Sequence, residues 1–268
     1  MPGLQAEPGC GNIGGRDCRP PYRHRFPLSR TSMTHAPDHV SALGLRGIRL
    51  LDGLAPERLD ALAGRCRWRG YDKGQTILSR TDACRDVHLL VAGRVQIATY
   101  AANGRQVTYG VLEAGDSIGA ATALDNLPRF VDAVALEGTF AASLSPGDFG
   151  QLLRDESAVA LAVIRQLSDM VRRLSNRVFD LSTLGVQGRL YVEILRMAQA
   201  AGVRDNTARI ERPPTHADIA SRVGTYREQV TRDLSVLTRA GLLEKDGRTL
   251  VVRDVEGIEA RVDAMRQR

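Results

Sequence analysis

The sequence predicts an α+β chain in three parts: a small β-barrel or jelly roll, one long helix, and a winged helix-turn-helix. Three observations carry this. Short, often β-branched segments separated by glycines fill the stretch from Trp68 to Leu144. A seven-residue apolar repeat runs from Ile164 to Leu181. Two capping signals flank a glycine turn at Gly224, and a hairpin signal follows at Asp246-Gly247.

At 268 residues the chain has room for about two domains. Its 43% hydrophobic and 25% charged residues are those of a globular protein. No run of 18 apolar residues occurs, which argues against a membrane span. The net charge of +6 suits a polyanionic partner. Lys73 and Lys245 are the two lysines among 37 basic residues, so the other 35 are arginine. The four cysteines, Cys10, Cys18, Cys66 and Cys84, include no CxxC pair and follow no secretory signal. A disulfide framework is out of place in a chain of this length, and a reduced cytoplasmic setting is expected. His35 and His39 form one HxxxH spacing, but Pro37 breaks the helix it would need, and no bound metal is expected.

Residues 1–45 hold six of the eleven prolines and no sustained apolar periodicity. They read as a disordered leader. A transit peptide is a weaker alternative for want of an amphipathic helix, and an overlong gene assignment with Met33 as the true start is a third. Order is expected from Ser41. Leu45, Ile48, Leu51 and Leu54 suggest helical turns, and Leu59, Leu62 and Ala63 share the face of a second short helix with Pro56 in its first turn. Strands are expected over 87–91, 95–100 and 107–112, with Asn103-Gly104 as a hairpin turn. His88, in the first of these, reads as a core or surface histidine rather than a ligand. A small β-barrel or jelly roll is therefore expected over 46–156.

Ile164, Leu167, Val171, Leu174, Val178 and Leu181 are spaced 3, 4, 3, 4, 3. That places one apolar seam on a helix of about 25 residues, roughly 38 Å long. Arg172, Arg173, Asn176, Arg177 and Asp180 lie off the seam. A strict seam fits a parallel homodimer coiled coil, and a helix packed on its own barrel is the alternative. The dimerisation helix is placed at 157–184.

The remaining residues, 185–268, carry the reading head. Leu190, Val192, Ile194, Leu195 and Met197 form an apolar helix, and Arg209 to Pro214 an extended link. Thr215 with Asp218 makes a capping box for a short helix that ends at Gly224. Thr225 with Glu228 repeats the device for a second helix whose buried stripe is Val230, Leu234 and Leu237. Its exposed face presents Arg227, Glu228, Thr231 and Arg232. Arginine can donate a bidentate pair to guanine, glutamate can accept from cytosine, and Thr225 at the helix start can meet a phosphate. Arg248, near the tip of the following hairpin, is a further phosphate contact. An ordinary solvated helix is the bland alternative, which the caps, glycine turn and wing disfavour.

With the stretch from Val223 to Leu234, VGTYREQVTRDL, and with Gly188-Arg189-Leu190, the chain resembles the cyclic-AMP receptor protein and FNR superfamily of bacterial transcription regulators. The likeness covers about residues 48–258. It implies a cyclic-nucleotide-binding β-roll, a long dimer helix and a winged helix-turn-helix, with double-stranded DNA and RNA polymerase as partners. It also implies that Arg227, Glu228 and Arg232 contact bases and phosphates of TGTGA-like half-sites, with Tyr226 altering the preference.

The sensor departs from the family's pattern. Ile118-Gly119-Ala120-Ala121 and Pro128-Arg129-Phe130-Val131 stand where a phosphate cassette is expected. Arg129 matches the arginine that meets the cyclic phosphate. Ala120 replaces the carboxylate for the ribose, Phe130 replaces a serine, and Leu174-Ser175 replaces an adenine-contacting threonine-serine pair. Each lost partner is worth about 1–3 kcal/mol, so tight cyclic-AMP binding is not expected. Another anionic effector at Arg129, including a cyclic dinucleotide, an effector elsewhere, or no effector at all remain open. So does an Arg129 held at the surface by Asp125 or Asp132. An enzyme lacks any local nucleophile–base or phosphate-loop motif, and a regulatory dimer that no longer binds DNA is the other competing class.

Overall fold

The computed structural model describes residues 42–101 and 106–267; the leader before them, the Asn103-Gly104 turn signal and the last residue lie outside the described set. The chain begins with α1 (Ala42–Leu45), a 3-10 turn (Arg49–Leu51) and α2 (Pro56–Ala63). Their regularly spaced leucines are buried for a common reason. Leu45, Ile48, Leu51, Leu59 and Leu62 pack with Val87, Leu89, Leu144 and Phe149 over the outside of a sheet.

Among the described residues eight strands build the β-roll: β1 (Arg67–Tyr71), β2 (Thr76–Leu78), β3 (Val87–Ala92), β4 (Arg94–Tyr100), β5 (Gln106–Glu113), β6 (Ser117–Ile118), β7 (Asp132–Ala135) and β8 (Thr139–Leu144). The short helix α3 (Ala120–Asp125) lies between β6 and β7. They form two antiparallel four-stranded sheets, ordered β1-β8-β3-β6 and β2-β7-β4-β5. Strands distant in sequence pair within each sheet, as in a jelly roll. Alternation along β3 sorts two cores. Val87 and Leu89 face the helices, while Leu90 faces the roll interior with Val95, Ile118, Ala133 and Ala141.

Ser145 caps α4 (Pro146–Asp155), its hydroxyl accepting from the Asp148 N–H. Next comes α5 (Ser157–Thr183), 27 residues long, and it has two apolar edges. Val159 and Val163 are buried on the sensor, with Ala162 and Leu167 packed beside them. Ile164, Val171, Leu174, Val178 and Leu181 are exposed in the single chain. The helix thus packs on its own roll through its first turns. Of the heptad positions, Leu167 belongs partly to that contact and the other five stand uncovered.

Beyond Leu184-Gly185 lie α6 (Val186–Ala201), β9 (Ala208–Ile210), α7 (His216–Val223), α8 (Arg227–Arg239), β10 (Leu243–Asp246), β11 (Thr249–Val252) and α9 (Val255–Arg266). Leu190, Ile194, Ile219, Val230, Leu237, Val252 and Ile258 share one core. Two expectations are corrected here. The link from Arg209 begins as strand, because Arg209 and Ile210 pair with Val251 and Leu250 and make the wing a three-stranded sheet. The wing loop is Gly247-Arg248, one residue later than the Asp246-Gly247 signal, because Asp246 pairs with Thr249 and the positive φ of 58° falls at Gly247. No helix among the described residues is long and apolar enough to cross a membrane.

Candidate nucleic-acid interface and effector site

The reading head is fixed from the capping box outward. Thr215 accepts from the Asp218 N–H, and the Asp218 carboxylate accepts from the Thr215 N–H. Gly224, at φ 79°, ends α7 in the left-handed conformation that glycine tolerates. Thr225 does not cap the next helix as expected. The Gly224 and Thr225 N–H groups both donate to Ala220 O, so the chain stays engaged with α7 through Thr225. Tyr226 becomes the N-cap, without a side-chain cap bond, and α8 starts at Arg227. Glu228 therefore stands at the second helical position rather than the third.

Val230, Leu234 and Leu237 are buried as the stripe predicts, while Tyr226, Arg227, Glu228, Thr231 and Arg232 are exposed. Within the described residues, Arg227, Glu228 and Arg248 make no side-chain hydrogen bond or ion pair. Arg232 donates to Gln229 Oε1 at 2.6 Å. Thr231 donates to Arg227 O, so the 2.8 Å contact from His216 Nδ1 to its hydroxyl is donated by the ring. Asp233, which a surface-helix reading turns outward, is instead buried and accepts from Gln229 Nε2 at 2.9 Å. An open groove follows this face of α8 from Gln229 to Arg239.

The sensor residues are arranged differently. Arg129 is not at the surface, and no carboxylate among the described residues pairs with it. It is 5% exposed, and it donates from Nε to Cys84 O at 2.9 Å and from Nη2 to Asp86 O at 2.8 Å. Asp125 accepts from the Leu127 N–H, and Asp132 from Ser79 and the Arg80 N–H. Gly119 explains how the guanidinium fits. At φ 101° it has no side chain, and a Cβ there would stand 2.7 Å from Asp86 O and 3.1 Å from Arg129 Nη1. Burial pulls the Arg129 pKa down from its ordinary value.

Ala120 is buried in the helix-side core, whereas Phe130 is 51% exposed. Leu174 and Ser175 lie on the exposed side of α5. The structure therefore brings Gly119 and Arg129 together and turns Phe130 outward. His88 is buried on the interior side of β3, and its Nδ1 has no partner within the described residues. Burial, then the Arg129 cation, pushes its pKa down to about 4, so the ring is neutral near pH 7. Burial, reinforced by Asp148, pushes the Cys66 thiol up to about 12, so it packs as a small apolar group. Among the described residues no cluster of three or more His, Cys, Asp or Glu side chains could hold a metal.

Residues 68–156 match the family model for a cyclic nucleotide-binding domain, and residues 188–261 match that for a Crp-like helix-turn-helix domain. The chain is 24% identical over 213 residues to the CRP-like cAMP-activated global transcriptional regulator of Mycobacterium tuberculosis, covering 79% of this chain and 95% of the relative. It is 28% identical over 200 residues to the cAMP-activated global transcriptional regulator Vfr of Pseudomonas aeruginosa, covering 73% and 94%. Among solved structures, a CooA mutant from Carboxydothermus hydrogenoformans superimposes with a TM-score of 0.71 at 21% identity, covering 80% of this chain and 94% of that one.

Proposed function

Because this chain belongs to the cyclic-AMP receptor protein and FNR superfamily of DNA-binding transcription regulators, we propose that it acts as a homodimer on a near-palindromic site. Residues 46–156 are the sensor, 157–184 the dimerisation helix and 185–268 the DNA-binding unit. The observation that carries this is the open face of α8, where Arg227 and Glu228 stand without a partner among the described residues, beside Thr231 and Arg232. Arg227, Glu228 and Arg232 read base edges. Thr225, Thr231 and, on the wing, Arg248 position the head on the backbone, and Tyr226 alters the half-site preference. Two-fold pairing along Ile164, Leu167, Val171, Leu174, Val178 and Leu181 sets two such heads about one turn of DNA apart. The protein works in the cytoplasm, with RNA polymerase as its further partner.

The sensor is not tuned to cyclic AMP, although relatives are named for activation by it. Ala120 offers no carboxylate to a ribose, Phe130 offers no hydroxyl to a phosphate, and two donors of Arg129 are already taken. A second reading keeps a cyclic nucleotide or cyclic dinucleotide at Gly119 and Arg129, because that pair is the part of the cassette still assembled.

Duplex selection at several salt concentrations, with sedimentation of the same protein, tests the proposal. A palindromic motif and a dimer that Leu174→Asp weakens about a hundredfold or more are expected, since the variant would bury an unpaired charge. A wild-type monomer, or salt-independent DNA binding, would overturn it. Calorimetry against cyclic AMP, cyclic GMP and cyclic dinucleotides decides the sensor. Submicromolar cyclic-AMP binding would restore an ordinary receptor.

A further inference from the structure

The DNA-binding unit hangs from α5 by two extended residues, Leu184 (φ −118°, ψ 136°) and Gly185 (φ −64°, ψ 174°). The Leu184 N–H still donates to Asp180 O, and Gly185 O accepts from the Arg189 N–H. The backbone of each joint residue thus bonds to its own helix, while the Leu184 side chain is buried in the core of the DNA-binding unit. Only soft backbone torsions connect the two helices, so side chains must fix the direction in which the unit points.

Several side chains span the gap, and one of them reaches both the sensor and the DNA-binding unit. Arg177 of α5 donates from Nη1 to Thr108 O of β5 at 2.8 Å and from Nη2 to Arg222 O of α7 at 2.9 Å. Its guanidinium lies 5.7 Å from the centre of the Tyr109 ring. Beside it the Thr108 and Ser221 hydroxyls meet at 2.8 Å, and Thr108 is fully buried. Arg222 O is a last-turn carbonyl of α7, left without a helical donor because the chain turns at Gly224. The other ties across the joint, Arg189 to Leu184 O, and Asp180 to Arg196 and Arg266, join the unit to the end of α5. Arg177 joins it to the sensor as well.

We propose that Arg177 is a positioning residue that sets the half-site spacing the protein accepts. This rests on the dimeric DNA-reading function above. A planar fork fixes the angle between its two acceptors, which a flexible ammonium does not. The leverage is large: a tilt of about 10° acting over the length of a 13-residue helix, about 20 Å, moves its tip about 3.5 Å, one base-pair step. Holding Thr108 O and Arg222 O on one guanidinium therefore selects one spacer, while the bases read by α8 stay the same.

The test uses the full chain and duplexes carrying two copies of its selected half-site, with the spacer varied one base pair at a time. Wild type should prefer one spacer over its neighbours by about tenfold or more. Arg177→Met should flatten that preference to within about threefold, with affinity for a single half-site unchanged. Arg177→Lys should fall between them, since it reaches one carbonyl and not both. Thr108→Val, which removes the hydroxyl pair, should flatten the profile in part and carries the same test if Arg177→Met fails to fold. Profiles as sharp as wild type in folded, dimeric variants would overturn this inference alone. A wild-type chain that binds single half-sites only would overturn the dimeric reading and this inference with it.

Discussion

The sensor and the reading head each place an arginine where the sequence aims it at a ligand, and the two are held in opposite ways. Arg129 is buried with two donors on the carbonyls of Cys84 and Asp86. Arg227 opens α8 in solvent without an intramolecular partner among the described residues. For Arg129 to meet a phosphate it has only the donors left over from the bonds that hold the segment before β3. For Arg227 to meet a base it gives up water. Position in a motif says which residue faces a site. The internal acceptors within its reach say whether it is available there.

The contrast can be broken or sharpened by experiment. Arg129→Ala should cost about 4 kcal/mol of sensor stability, because two charge-assisted bonds go and two carbonyls lose their donors. Urea denaturation would measure this, and an unchanged midpoint would make Arg129 as free as Arg227. His88 comes next. Its folded pKa of about 4 lies below its ordinary 6.5, so the unfolded chain binds the extra proton first. The stability tied to neutral His88 is fully present above pH 6.5 and is lost as pH falls toward 4, by about 3 kcal/mol. His88→Gln should remove that slope; parallel pH profiles for the two proteins would contradict the buried, neutral ring.

On the reading head the effects move from stability to sequence. Arg227→Ala should leave the denaturation midpoint within about 0.5 kcal/mol and cost about 2 kcal/mol of discrimination at one base position. Glu228→Ala should relax a neighbouring position in the same selection. Identical sequence logos for Arg227→Ala and wild type would remove its assignment. Arg248→Ala is the smallest. It should weaken all sequences about threefold and lower the salt slope by about one.

The legible parts were those where one local rule decides the outcome. The Thr215–Asp218 box, the β3, β4 and β5 strands and the stripe of α8 follow from capping, alternation and period alone. Strand β1 was hidden because Arg-Trp-Arg-Gly-Tyr shows little apolar alternation and is defined by pairing with β8, about 70 residues away. Strand β9 was masked by Pro213-Pro214, which read as a linker. Arg129 is aimed by its motif at a ligand, and only the folded chain supplies the carbonyls of Cys84 and Asp86 that hold it inside.

The Arg177 fork has a consequence for how ionic strength acts on this protein. Its acceptors are peptide dipoles rather than carboxylates, and dissolved salt competes weakly for a half-buried bond of that kind. Raising the salt concentration should therefore strip counterion-linked phosphate contacts without undocking the reading head. The slope of log affinity against log salt then counts neutralised phosphates directly, uncontaminated by a shift in domain orientation.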